Sequence, residues 1–434
     1  MSEKSNISSG YHYITVKLFD DNSLLNNKGK WEHELKKILD EFQGVIFRKL
    51  FTSLCDEAVV KLLMKAKETD HLYKPVNLFS FYFLLCPENI NSGLLVESLL
   101  CSELVELAYL NGRTTTSPSS IKQNNSLVSN YHLETAPYGI DAKYAWKHLQ
   151  TKGEKSIKFI DIEQGWHEDD EYVRIRTLPL TGINNEAFRD HGTAVFGIIA
   201  TNENSNRGGI FPGAEGYIIS QWRPDGLPNE ADAILAAISY LNFGDVLLIE
   251  SQSFHHDTGN KLWPVEIHDA VFEVIRLATA LGIIVIEPAG NGRLYLPAGN
   301  DLDLFSNAGK KILNPSSDDF RDSGAIMVAA ATWNNCYHKA PHSNYGERIN
   351  CFASGESTGP GEVKVNGTSA ASAIIAGAAI VIQTFYEATC NERLSPAQMR
   401  QMLSNRKFGT CSVNAGNVDK IGVMPDLKKI LNAH

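Results

Sequence analysis

One stretch constrains the fold more than any other. From Asn366 to Ala379 the chain reads Asn-Gly-Thr-Ser-Ala-Ala-Ser-Ala-Ile-Ile-Ala-Gly-Ala-Ala. A polar, Gly-containing turn runs straight into a small-residue apolar helix that continues to about Phe385. A helix with so little bulk is built to lie against other backbone in a core. It is too interrupted for a bilayer, because Ser372, Gly377 and Gln383 break an apolar run that falls short of the ~20 residues a span needs. Ser369 falls on the first turn, where free backbone N–H groups and the positive end of the helix dipole face its hydroxyl. That position suits a nucleophile whose reaction creates an oxyanion. It also suits plain core packing, since Gly-Thr-Ser followed by Ala and Ile is common.

From about Ala136 to the end the chain alternates strand and helix. Apolar runs at 156–162, 217–222, 245–249, 283–286 and 325–331 read as buried strands. Helical patterns at 192–200, 229–241, 265–281 and 395–403 lie between and after them, the last with Ser395 as N-cap and Pro396 at the first helical position. This pattern predicts an α/β fold, a mostly parallel sheet with helices on both faces. In such folds the reacting groups collect at the carboxyl ends of the strands.

Before it, residues 1–110 read as a small α+β module. Tyr11–Leu18, 78–85 and 105–110 have strand patterns. Trp31, Leu35, Ile38, Leu39 and Phe42 mark one helix face, and 56–67 and 91–100 read as further helices. The order is ferredoxin-like. Residues 111–135 are polar and rich in Thr, Ser, Asn and Pro, the composition of an exposed, cleavable linker. The expected organisation is therefore 1–110, a linker at 111–135, and 136–434.

The chain of 434 residues carries a net charge of −10. That argues against nucleic acid or an anionic membrane as its partner. The first residues lack an apolar h-region. Seven cysteines are scattered without metal-type spacing, as free thiols of a reducing compartment are. The expected location is the cytoplasm, with no membrane span.

Four polar residues fall at the right kind of place for one site. Asp161 ends the strand Ile157-Lys-Phe-Ile160, and His191 opens His-Gly-Thr-Ala-Val-Phe-Gly197 at a helix start. Asn291 lies in Glu287-Pro-Ala-Gly-Asn-Gly292 just after a strand, and Ser369 opens the helix described above. A serine needs a base such as His, and the base needs an orienting carboxylate. A side-chain amide such as that of Asn291 can donate to an oxyanion. Each residue alone has a bland reading: a helix cap, a packed histidine, a turn. Their joint occurrence in chain order is far more specific.

These boxes resemble the subtilisin-like serine proteases, the subtilases. Ile160-Asp161 is similar to the family's Asp box, His191–Ala200 to its His box, Ala289–Gly292 to its oxyanion Asn segment, and Gly367–Gly377 to its Ser box. Ser343-Asn-Tyr-Gly346, Ala353-Ser-Gly-Glu356 and Phe211-Pro-Gly-Ala214 fit as well, so the resemblance covers about 136–430. It implies a serine endopeptidase with an acyl-enzyme on Ser369, His191 as base, Asp161 as orienting acid, and Asn291 with the Ser369 N–H as oxyanion hole. It implies a protein or peptide substrate, here a dedicated intracellular precursor, and no cofactor; calcium sites, common in the family, have no assignable ligands. The alternative is an inactive relative that binds peptides or acts as a scaffold. A lipase or esterase is disfavoured, since that fold uses Gly-x-Ser-x-Gly and the order Ser, Asp, His.

The resemblance also implies that residues 1–110 are a prodomain, an intramolecular inhibitor whose linker is cut between about Asn111 and Asn130. Where the family's substrate-lining strand reads Ser-x-Gly, this chain reads Leu248-Ile-Glu-Ser-Gln-Ser-Phe254. Glu250, Glu287, Asp318, Asp319 and Asp322 are candidate acids for a basic residue before the cut, which would make Arg113 and Lys122 the candidate linker positions.

Overall fold

A computed structural model describes residues 11–19, 35–111, 114–115, 121–122, 131–149, 157–201, 208–212, 214–293, 296, 298–332, 338–358, 363–414 and 419–433. The first unit holds β1 (Tyr11–Leu18), α1 (35–40), β2 (Ile46–Lys49), α2 (Asp56–Thr69), β3 (Phe81–Pro87), α3 (Ser92–Leu100) and β4 (Val105–Leu110). Its strands form an antiparallel sheet in the order β2-β3-β1-β4. That is the ferredoxin-like order expected from the sequence, with α2 inserted between β2 and β3. The short strand β2 has only partly covered side chains, so it has no apolar run to betray it. Trp31 lies outside the described residues; Leu35 of the same helix face is buried.

Two very short strands follow, β5 (Thr114–Thr115) and β6 (Ile121–Lys122). Arg113 and most of the predicted linker lie outside the described residues.

The second unit is built on nine strands. In chain order come α4 (Ala142–His148), β7 (Lys158–Glu163), β8 (Arg176–Thr177), α5 (Arg189–Ile199), β9 (Glu215–Ser220), α6 (Glu230–Ile238) and β10 (Val246–Ile249). Then come β11 (Gln252–Phe254), β12 (Leu262–Pro264), α7 (Asp269–Ala280), β13 (Ile284–Pro288), β14 (Ile326–Ala331), β15 (Cys351–Ser354), β16 (Glu356–Thr358) and β17 (Val363–Asn366). The chain closes with α8 (Thr368–Cys390), α9 (Pro396–Leu403), β18 (Gly409–Cys411), β19 (Val423–Pro425) and α10 (Leu427–Asn432). The sheet order is β18-β19-β15-β14-β13-β10-β7-β9-β8. Every pair is parallel except β18–β19. Strands β10, β13 and β14 are buried at every position, as parallel strands covered on both faces must be.

Helix α8 crosses this sheet. All residues from Thr368 to Gln383 are buried. It is long and apolar enough to cross a membrane, but most of it is enclosed by its own fold. It packs against β13, β14 and β15 and against α5. Burying each of Ile374, Ile375, Ile380 and Ile382 contributes about 1.5–3 kcal/mol of hydrophobic stabilisation. The helix stops at Asn391, which takes a left-handed φ of 54° and donates its N–H to Glu387 O.

The two units share one joint. Val59, Ala66, Tyr73 and Phe81 of the first unit lie in the same apolar cluster as Val271, Ile275 and Leu277 of the second. At its rim Asp232, fully buried on α6, accepts from the backbone N–H of Thr52 (2.8 Å) and Ser53 (2.9 Å), from the Ser53 hydroxyl, and from Arg223 Nε (3.1 Å). Asn229 donates to Leu50 O at 2.7 Å, and Arg276 reaches Asp70 at 2.5 Å.

Candidate active site

The carboxyl ends of β7 and β10, the start of α5, the turn after β13 and the start of α8 meet at one place. Each brings a polar residue. Strand β7 ends Asp161-Ile-Glu163; residues two apart share a strand face, so both carboxylates are presented the same way. Helix α5 brings His191 at its third position. Its neighbour Gly192 permits the approach: a Cβ there would lie 2.3 Å from Gly165 O and 2.8 Å from Glu163 Cγ.

The carboxylate that reaches the histidine is Glu163, not Asp161. His191 Nδ1 lies 2.5 Å from Glu163 Oε2, and Glu163 Oε1 accepts from the Gln164 N–H at 2.8 Å. Asp161 instead accepts from Trp166 Nε1 at 2.8 Å. The expectation that Asp161 orients His191 is therefore corrected. The reason is reach. Asp161 lies two residues, about 6.6 Å, back from the strand end and carries the shorter side chain. Glu163 occupies the last strand position with a methylene more. The Asp-Ile-Glu sequence offered two candidate acids on one face, and nothing in the spacing alone chose between them.

The other nitrogen, His191 Nε2, is buried and has no hydrogen-bond partner. Ser369 stands at the second position of α8, 3% exposed. Asn291 is joined to that helix start. Its Oδ1 accepts from Thr368 N at 2.8 Å and from Thr368 Oγ1 at 3.2 Å, which leaves its Nδ2 group to donate elsewhere. Its own N–H donates to Gln252 Oε1 at 2.8 Å. Gly367 is required here for two reasons: its φ is +97°, and a Cβ would fall 2.7 Å from Asn291 Oδ1. The structure thus gathers His191, Asn291 and Ser369 as the sequence predicted, with Glu163 in the acid's place.

A second carboxyl that the sequence reading placed elsewhere belongs to this cluster. Glu250, the residue after β10, is buried, and one of its carboxyl oxygens lies within 4.8 Å of a Glu163 carboxylate oxygen and a His191 ring nitrogen. The expected role as an acid for a basic substrate residue does not fit that position. Glu287 and Asp322 are likewise engaged within the fold: Glu287 accepts from Glu266 N at 2.9 Å, and Asp322 is held by both Arg400 terminal nitrogens at 2.7 Å; Asp318 and Asp319 are exposed.

The electrostatics follow from burial. Burial, and then the charge of Glu163, pushes the Asp161 carboxyl well above the usual range, against the pull of the Trp166 N–H. Burial and the charges of Asp161 and Glu163 do the same to Glu250, against the nearby Ser369 hydroxyl, which is close without forming a hydrogen bond of normal geometry. On α6, burial pushes Glu230 up to about 8, with Glu163 adding to the effect and Ser251 opposing it.

Two strand pairings flank the site. Thr114–Thr115 of β5 runs antiparallel to Gln252–Ser253 of β11, just beyond Glu250. Ile121–Lys122 of β6 runs antiparallel to Val363–Lys364 of β17, just ahead of Ser369.

Comparison with known proteins agrees with this architecture. Residues 139–422 match the model of the subtilase family. Among solved structures, a serine-to-alanine variant of the epidermin leader peptide processing serine protease EpiP from Staphylococcus aureus superimposes with a TM-score of 0.62 at 15% identity, covering 98% of this chain and 100% of that one. Another structure of that protease gives 0.58 at 15% identity, covering 98% and 99%. No curated protein matches the sequence significantly.

Proposed function

Since this chain belongs to the subtilase family, a family of serine peptidases, we propose that it is an endopeptidase in which Ser369 attacks the peptide carbonyl and forms an acyl-enzyme. The observation that carries this reading is the pair His191 Nδ1–Glu163 Oε2 at 2.5 Å, with the opposite nitrogen of the ring unpartnered in the cluster that Ser369 borders. A carboxylate on Nδ1 fixes the tautomer that leaves Nε2 free to take a proton. His191 accepts the Ser369 proton and returns it to the leaving amine. Glu163 holds the ring and balances the imidazolium. The tetrahedral oxyanion is taken by Asn291 Nδ2 and the Ser369 backbone N–H, where the dipole of α8 adds its positive end.

The substrate in this reading is a precursor protein or peptide that needs one activating cut. Support comes from the fold neighbour whose stated task is epidermin leader peptide processing. The described cysteines are all free, which favours the cytoplasm as the compartment. Residues 1–110 act as an intramolecular inhibitor. Their linker pairs with β11 on one side of Ser369 and with β17 on the other, as an extended substrate adds a strand to an exposed edge. The cut in that linker falls between Thr115 and Ile121, a narrower interval than the sequence defined. Tethering supplies a high effective concentration, so weak intrinsic affinity is enough to block the cleft.

The test is the mass of the full chain beside Ser369→Ala, with and without a fluorophosphonate probe. The reading requires wild-type protein to be cut in that interval and labelled on Ser369, and the variant to remain whole and unlabelled. Equal labelling of both would sink it.

A further inference from the structure

One carboxyl in this site has no part in the reaction as written. The Glu250 N–H donates to Ile162 O at 3.0 Å, which extends the β10–β7 pairing by a step and sets Glu250 level with Glu163. It is 1% exposed. Neither of its carboxyl oxygens has a hydrogen-bond partner. Three elements face it with titratable or reactive groups: Asp161 and Glu163 from β7, His191 from α5, and Ser369 from α8. Glu230 of α6 approaches the same cluster through Glu163 and Ser251. No Lys or Arg contributes to its environment among the described residues.

An acid so enclosed, beside other acids and with no cation, keeps its proton. As a neutral carboxyl it adds no charge to the reacting centre. As a carboxylate it would act twice. It would hold His191 as imidazolium together with Glu163, so that no free nitrogen remained for the Ser369 proton. It would also set a negative charge beside Ser369, which opposes the negative charge that builds up on the tetrahedral intermediate. We propose that the Glu250 carboxyl must stay protonated for Ser369 to react, so that its ionisation closes the site on the alkaline side. This inference rests on Ser369 being the nucleophile.

The experiment follows phosphonylation of Ser369 by a fluorophosphonate in the full chain, from about pH 6 to about pH 10, for wild type and Glu250→Gln. A rate governed by one ionisation falls about tenfold per pH unit beyond it. Wild type should show that alkaline fall. Glu250→Gln, neutral at every pH and of equal size, should react at a near wild-type rate at neutral pH and lose the fall. A Gln variant that melts like wild type but keeps the alkaline limb, or is inert throughout, overturns the inference. If the Gln variant fails to fold, Glu250→Asp draws the carboxyl back by one methylene; its limb must move, and an unmoved limb overturns the inference equally. A wild-type Ser369 that is inert at all pH values defeats the protease reading itself, whereas a reactive Ser369 with an unaltered limb defeats this inference alone.

Discussion

Exchanging the two acids of β7 for their amides separates their roles. In Glu163→Gln the side chain keeps its shape. Its Oε1 stays with the Gln164 N–H, now 2.8 Å away, because only an oxygen can accept there. The arm that faces His191 Nδ1 at 2.5 Å then becomes an NH2 group. An NH2 donates to Nδ1, drives the ring proton to Nε2, and removes the free nitrogen that Ser369 needs. The same tautomer fault in a trypsin-type triad lowers kcat by ~10⁴, or about 5.4 kcal/mol of barrier, and a loss of about 10³–10⁴ is expected here. In Asp161→Asn the Trp166 N–H still finds an oxygen, and burial already disfavours the charged form of the group it replaces. That variant should lose less than about tenfold. The assay is the second-order rate of Ser369 phosphonylation at neutral pH, with circular dichroism melts as the check on folding. A larger loss in Asp161→Asn than in Glu163→Gln would refute the assignment and restore Asp161 as the orienting acid.

Four further outcomes are expected. Asn291→Ala should lower kcat for linker cleavage or a peptide by about 10²–10³, the range for one oxyanion donor. Gly192→Ala should uncouple His191 from Glu163, since its Cβ meets Gly165 O at 2.3 Å; its phosphonylation rate should fall with Tm. Asp232→Ala leaves Arg223 buried beside no carboxylate and strips two N–H groups of their acceptor, which costs about 3–5 kcal/mol; denaturant unfolding and limited proteolysis at the joint report it. Glu230 supplies the pH dependence of stability. Folding raises its pKa from 4.5 to about 8, so between those values the folded state binds more protons than the unfolded. Stability therefore falls as pH rises through that window, by up to about 1.4 kcal/mol per pH unit for one group. Glu230→Gln should flatten that slope in urea titrations.

The parallel sheet was legible because buried strands such as Val246–Ile249 are written as unbroken apolar runs. The N-terminal sheet was legible for β1, β3 and β4, with β3 starting at Phe81 because Leu78–Ser80 form a 3-10 turn, and its order followed from the ferredoxin-like pattern. The short, mostly polar or exposed strands β2, β5, β6 and β11 carry no such signal, since their pairing is decided by distant partners. His191, Asn291 and Ser369 were legible because each lies in a motif tied to a helix start or a strand end. Glu163 was not, because alternation gives Asp161 and Glu163 the same face and only three-dimensional reach separates them. The signal that was available is Gly165, two residues beyond Glu163, where a Cβ would meet Asn185 O at 2.1 Å. Glu250 stood out as a charge at the end of an apolar strand, but whether such a charge looks into a substrate pocket or into the reacting centre is a matter of packing.

The joint between the two units bears on timing. Phe81, Val59 and Ala66 share a continuous apolar cluster with Val271 and Ile275, and Asp232 gathers Thr52, Ser53 and Arg223 at its edge. None of these contacts passes through the linker. Severing the chain between Thr115 and Ile121 would remove one covalent tie and leave that whole surface shut. Cleaved and released are then separate states of the molecule, divided by the time needed to expose a hydrophobic face to water. A nicked preparation would travel as a single particle through a sizing column, and its activity toward other chains would emerge after a lag set by dissociation rather than by chemistry.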